Sequence, residues 1–159
     1  MNAEALEYYH TGLLHASQSN YDAAEYFLLK SLEIDAVVGT WATLGWLYAS
    51  RTGRYKDALR VFKKAIRLAP QDGDLFNDFG ALLIKMGRPK MAMHWFNRAL
   101  RSKACSRYHY ALYNMALIYR SWNRPERSRR YLHLCLRKKP DFEMARELLG
   151  QIEKDFQSA

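Results

Sequence analysis

Apolar residues recur along this chain at intervals of three and four rather than two. Trp41, Leu44 and Tyr48 stand at i, i+3 and i+7, with Gly45 at i+4, which is the spacing of an amphipathic helix. The same pattern predicts helices over about 3–17, 21–34, 38–50, 55–68, 73–86, 89–102, 107–122, 125–138 and 141–157. The breakers agree with these bounds. Gly53 and Gly87 sit between paired segments, where a chain reversal uses positive φ. Pro89 and Pro125 follow such turns, suited to a first helical position. Pro70 and Pro140 stand where helices must stop.

The segments repeat. Ala24, Ala58, Ala92 and Ser128 are separated by 34, 34 and 36 positions, and bulky Leu28, Phe62, Phe96 and Leu132 keep that spacing. A second series of small residues, Gly12, Gly45, Gly80, Ala116 and Gly150, lies upstream. A small residue on one helix lets a second approach closely, and the bulky residue of the second fills the space beside it. One helical pair cannot bury its own apolar face, so stacked pairs make the core.

These positions resemble the tetratricopeptide repeat (TPR) family, whose period is about 34. The second repeat carries nearly the whole pattern: Trp41, Leu44, Gly45, Tyr48, Ala58, Phe62, Ala65 and Pro70. The resemblance implies an all-α fold, a right-handed superhelical α-solenoid of antiparallel helix pairs. It gives a single domain over 1–159, with repeats at about 5–37, 38–72, 73–106 and 109–140 and a polar capping helix at 141–157. Two departures stand out. Thr11 and His15 are polar at packing positions, and two extra residues near Cys105 and Ser106 separate the third and fourth repeats.

Composition narrows the class. A chain of 159 residues with 49% hydrophobic content is long enough to bury a core. The first residues, Met-Asn-Ala-Glu-Ala-Leu-Glu, do not read as an ordinary signal peptide. No run of about 18 apolar residues appears, so no membrane span is expected. The two Cys suit a reducing compartment, and the expected location is cytoplasmic. The formal charge of +9 is unevenly placed. Residues 1–37 carry one Lys and six acids, whereas residues 98–139 carry twelve bases and Glu126 alone among acids. That asymmetry points to an anionic partner surface, or to contact between the acidic first repeat of one copy and the basic fourth repeat of another.

Catalytic constellations are not found. The glycines form neither phosphate-loop pattern, no H-E-x-x-H or C-x-x-C occurs, and the acids of the middle segments stand singly. No metal, cofactor or enzymatic activity is expected. Cys135 falls on a small-residue packing position, and Cys105 is expected to be exposed in its turn.

Function must then be read from the surface. In the family, first helices line a concave groove and second helices face the convex side. The groove candidates so implied are Tyr9, Leu13, Trp46, Asn77, Ile84, Tyr113, Asn114, Leu117 and Arg120. Exposed aromatic residues among them are of the kind that dominates binding energy. The family's clamp for a C-terminal carboxylate pair is not matched, because no register supplies its cations; Asp74 and Asp78 would repel an acidic tail. On the convex side Lys56, Arg60, Lys63, Lys64, Arg67, Lys90, Arg98, Arg101, Arg127 and Arg130 form a basic ladder. The expected function is a non-enzymatic adaptor that holds a protein or peptide segment with apolar anchors. A secretion or assembly chaperone for an aggregation-prone partner is the alternative. Binding of nucleic acid or another anionic surface by the convex ladder ranks below an acidic protein, because few outward aromatic residues accompany the charges.

Overall fold

The computed structural model describes residues 2–50 and 54–157. Among them the chain forms α1 (Ala3–Ser17), α2 (Tyr21–Ile34), α3 (Val38–Ser50), α4 (Tyr55–Leu68), α5 (Gly73–Lys85), α6 (Pro89–Arg101), α7 (Tyr108–Ser121), α8 (Pro125–Lys138) and α9 (Glu143–Gln157). The expected helix bounds hold to within two residues at every end. An isolated backbone bridge between Asp72 and Ala104 is the extended pairing among the described residues. None of the described helices is long and apolar enough to cross a membrane. The chain divides into two compact units, Met1–Gln71 and Asp72–Ala159.

In the first unit α1 pairs with α2 and α3 with α4, and α2 packs on α3. The expected small-to-bulky contacts form. A Cβ built on Gly12 would lie 2.9 Å from Leu28 Cγ, and one on Gly45 would lie 2.7 Å from the Phe62 ring. Phe62 and Leu28 are wholly buried, each stabilising the unit by about 1.5–3 kcal/mol. The polar departures are met differently. Thr11 donates its hydroxyl to Glu7 O at 2.9 Å along its own helix, whereas His15 stacks on Phe27 at 5.3 Å and leaves its buried Nδ1 without a hydrogen-bond partner among the described residues. Buried Ser31 donates to Ala5 O at 2.7 Å, tying α2 to α1.

In the second unit α5 pairs with α6 and α7 with α8, and α9 closes against α8. A Cβ on Gly80 would come within 2.6 Å of the Phe96 ring. The fourth repeat changes both partners together: Ala116 replaces glycine and Leu132 replaces phenylalanine, and both are wholly buried. Ser128 also donates to Ala116 O at 2.8 Å. Helix α9 adds Ala145, Leu148 and Ile152 to the cluster of Leu112, Leu132 and Cys135. Its Gly150, the last of the small-residue series, faces nothing within 4 Å.

The turn between the helices of a pair recurs. Ser19, Gly87 and Asn123 occupy one repeat position and have φ of 60°, 70° and 53°. In each, the next amide donates back five residues: Asn20 N to His15 O at 2.9 Å, Arg88 N to Leu83 O at 2.8 Å, and Arg124 N to Tyr119 O at 2.9 Å. This is the left-handed helix stop that satisfies orphan carbonyls. Gly53, the remaining member, lies outside the described residues. Pro89 and Pro125 occupy first helical positions as expected.

The insertion between α6 and α7 corrects one expectation. Cys105 is buried, at 6% exposure, rather than exposed. Gly73 N donates to Ala104 O at 2.9 Å, and a Cβ on Gly73 would sit 2.5 Å from Cys105 Cβ. The extra residues therefore fold back on the start of α5, where a missing side chain makes room.

Candidate partner-binding site

Within each unit the first helices of adjacent repeats touch, α1 with α3 and α5 with α7, whereas the second helices make no comparable contact. Each unit thus closes on the side of its first helices and splays on the side of its second helices. The groove candidates lie on the first helices.

In the first unit Tyr9, Leu13 and Trp46 are half-buried. Tyr9 reaches α3, with its hydroxyl 3.6 Å from where a Gly39 Cβ would stand. Trp46 sets its indole perpendicular to Phe62 at 6.2 Å, so it packs in part and remains accessible in part. Exposed Leu6 adds apolar surface on α1.

In the second unit Ile84, Tyr113 and Asn114 are half-buried, whereas Leu117 and Arg120 are exposed. Arg120 donates to Gln151 Oε1 on α9 at 3.1 Å. Tyr113 stands perpendicular to Phe142 at 5.4 Å, and burial raises its phenol pKa. His109 and Tyr110 meet the same Phe142 ring at 5.1 and 5.3 Å. This aromatic cluster was missed because Phe142 lies just before α9, outside the repeat positions.

Asn77 does not reach the surface. It is 4% exposed, donates to Asp78 Oδ1 at 3.3 Å, and its Oδ1 has no partner among the described residues. Asp74 and Asp78 do not present free charge either. Asp78 receives the Arg107 guanidinium at 2.8 Å. Asp74 accepts the amides of Ser106 and Arg107 at 3.1 and 3.0 Å and the Ser106 hydroxyl. Partial burial opposes its ionisation, but these donors and the Arg107 charge outweigh burial and hold the carboxyl below its usual range. Both carboxylates are thus engaged by the inserted loop and the start of α7, with the Arg107 cation shared between them.

The second helices carry the basic ladder. Lys56, Arg60, Lys63, Lys64, Arg67, Lys90, Arg101, Arg127 and Arg130 are exposed. Arg98 is half-buried instead, lying 4.2 Å over Phe76 and 4.5 Å over Trp95; its stem covers aromatic surface. Lys64 lies 4.8 Å over Trp41 in the same manner, and Arg60 pairs with Asp57 at 3.0 Å. In the first unit Glu25 accepts from Tyr48 at 2.9 Å and pairs with Arg54, which also stacks on Tyr48 at 4.0 Å.

Among the described residues no three His, Cys, Asp or Glu side chains converge as a metal site. Cys105 and Cys135 are free, and burial pushes each thiol up to about 11, so neither is a thiolate nucleophile at neutral pH.

Two models of the tetratricopeptide repeat match the chain, one over residues 50–118 and the other over 109–142. The chain belongs to the tetratricopeptide repeat family. Its small–bulky helix contacts are thus those of a TPR array. The protein FlbA of Caulobacter vibrioides is 32% identical over 78 residues, 48% of this chain and 13% of FlbA; the match spans about one eighth of that relative. Among solved TPR-like structures, PilF of Pseudomonas aeruginosa superposes with a TM-score of 0.88 at 18% identity, over 98% of this chain and 70% of PilF. PilW, a type IV pilus biogenesis factor, gives 0.82 at 19% identity, over 99% and 78%. Yeast Tom70 gives 0.81 at 21% identity, over 97% and 33%. At these identities the likeness is one of fold.

Proposed function

We propose that this TPR protein is a non-enzymatic adaptor that holds a partner protein segment on the first-helix side of its repeats. The observation that carries the reading is the set of accessible apolar and aromatic side chains on that side of each unit taken by itself: Leu6, Tyr9, Leu13 and Trp46 on α1 and α3 of the first, and Tyr110, Tyr113 and Leu117 on α7 of the second. Amphipathic segments dock by such spaced anchors. PilW is described as a pilus biogenesis factor, and a role in holding one component of an assembly is the same kind of task.

The splayed second-helix side favours an anionic partner from outside over a second copy of the chain. At least three of the six acids of the first repeat are engaged within the fold, Glu25 by Arg54, Glu33 by Lys30 at 2.8 Å, and Asp35 by the Asn2 amide at 3.1 Å. The same proposal places the protein in a reducing compartment, the cytoplasm, supported by two free and buried thiols.

The test is selection of binders from a displayed peptide library. Recovered peptides should share bulky apolar anchors, and their affinity should fall about 10-fold or more on Leu117→Glu or Tyr110→Ala, with helix content unchanged. Peptides without apolar anchors, or affinities indifferent to both substitutions, would reject the first-helix side.

A further inference from the structure

The splay of the second helices in the second unit opens a furrow between α6 and α8, floored by α7. It is a chain of hollows. One of about 400 Å³ is lined by Lys90, Tyr119, Trp122, Arg124 and Arg127. The next, about 310 Å³, shares Tyr119 and Arg127 and adds Arg130, Tyr131 and Leu134. A third of about 500 Å³ shares Leu134 and is walled by Tyr108, Arg137 and Lys138. A fourth, about 710 Å³, is lined by α8 alone and borders the furrow through Arg130, Leu134 and Arg137. Every hollow combines cations with apolar surface, and three contain tyrosine.

Charge and geometry narrow the occupant. Glu126 is the acid that lines these hollows, and it is held by Arg129 at 3.2 Å. Arginine predominates, the side chain best suited to phosphate forks and to stacking on planar rings. Tyr119 stacks on Tyr131 at 5.2 Å and receives Arg127 at 5.6 Å. Trp122 stands perpendicular to Tyr119 at 5.8 Å and is 37% exposed, so its indole is not stacked within the fold. A continuous apolar strip would suit an amphipathic helix. Repeated aromatic hollows separated by arginines suit a flexible polymer that alternates flat rings with phosphates. One exposed aromatic ring, Trp122 at the end of α7, thus accompanies the charges on this side.

We propose that the α6–α8 furrow binds single-stranded nucleic acid, with a base stacked at Trp122 and phosphates held by Arg124, Arg127 and Arg130. The furrow runs the length of α8, roughly 20 Å, room for a few nucleotides. It lies on the side opposite the proposed peptide site, so either reading can fail alone.

The experiment is fluorescence anisotropy of the whole chain with a labelled twelve-uridine RNA, with heparin as a polyanion without bases and a glutamate polymer as an acidic peptide. RNA should bind, and its affinity should fall as salt rises. Trp122→Ala should weaken RNA at least fivefold and heparin less than twofold, while Trp122→Phe restores most RNA binding. Arg124→Gln with Arg130→Gln should reduce the slope of log affinity against log salt by about 1–2, a readout independent of the Trp122 variants. No RNA binding at low salt overturns the proposal. So does an equal loss for RNA and heparin on Trp122→Ala, or a glutamate polymer that competes as well as RNA at equal charge; the last result assigns the furrow to an acidic protein.

Discussion

The carboxylate of Asp74 on α5 accepts the backbone N–H of Arg107 at the start of α7, 3.0 Å away and 33 residues later in the chain. Arg107 is the N-cap of α7, and no side chain of its own turn caps that helix. The cap is supplied by another helix. Asp74→Asn should therefore destabilise the protein by about 2 kcal/mol, the scale of hydrogen bonds to a charged group. The difference should shrink in acid. The folded carboxyl titrates below its unfolded value of about 3.9, so its contribution is present above that value and is lost as pH falls through the folded pKa. Urea midpoints of both proteins at pH 7 and near pH 3 measure this; a gap that does not narrow assigns the effect to packing instead.

Two members of the glycine series, Gly80 and Gly150, should respond oppositely to a methyl group. At Gly80 a Cβ would meet the wholly buried Phe96 ring at 2.6 Å, and Gly80→Ala should cost about 1–3 kcal/mol. At Gly150 a Cβ meets nothing within 4 Å in mid-helix, and Gly150→Ala should stabilise by about 0.5–1 kcal/mol. Thermal melts of the two variants decide; a shared sign would contradict the packing.

At Gly87, φ is +70°. Asparagine fills the equivalent place at Asn123 with φ of 53°, so Gly87→Asn should cost less than about 1 kcal/mol. Gly87→Val, branched at Cβ, should cost about 1–2 kcal/mol more than Gly87→Asn. Chemical denaturation of the pair gives the comparison, and equal losses would mean that the turn relaxes.

Both thiols should react slowly with a chromogenic disulfide reagent at pH 8 and rapidly in urea, since burial holds their pKa near 11. Raised folded values stabilise the fold fully below the unfolded value of about 8.5 and lose that contribution as pH rises toward about 11. Fast labelling of Cys105 in the native protein would place the inserted loop in solvent.

What could be read beforehand was set by near neighbours in the chain. Helix bounds, the small–bulky pairs and the buried Cys135 depend on residues within one helical hairpin, and local pattern carries them. Cys105 was misjudged because its burial depends on a glycine 32 positions earlier, at Gly73, and on the anchoring carboxylate of Asp74. Asn77 looked like a surface position by register, yet α5 buries its side chain beside the Asp78–Arg107 pair. Trp46 and Tyr113 were placed on the correct helices, but their edge contacts with Phe62 and Phe142 divide each ring between packing and exposure. The furrow aromatics were overlooked because Tyr119 lies on a first helix and Trp122 caps its end, and only the splay of α6 from α8 brings them to the other side.

The ties that fasten a repeat reach about one repeat along the chain: the Asn2 amide to Asp35 and the Arg107 amide to Asp74 each span 33 residues. A nascent polypeptide leaving the ribosome need not wait for its far end to settle its beginning. Each hairpin can close as it emerges, and the carboxylate of Asp74 is already in place when the amides it will hold are synthesised. Assembly of the protein can therefore keep pace with translation, one hairpin at a time.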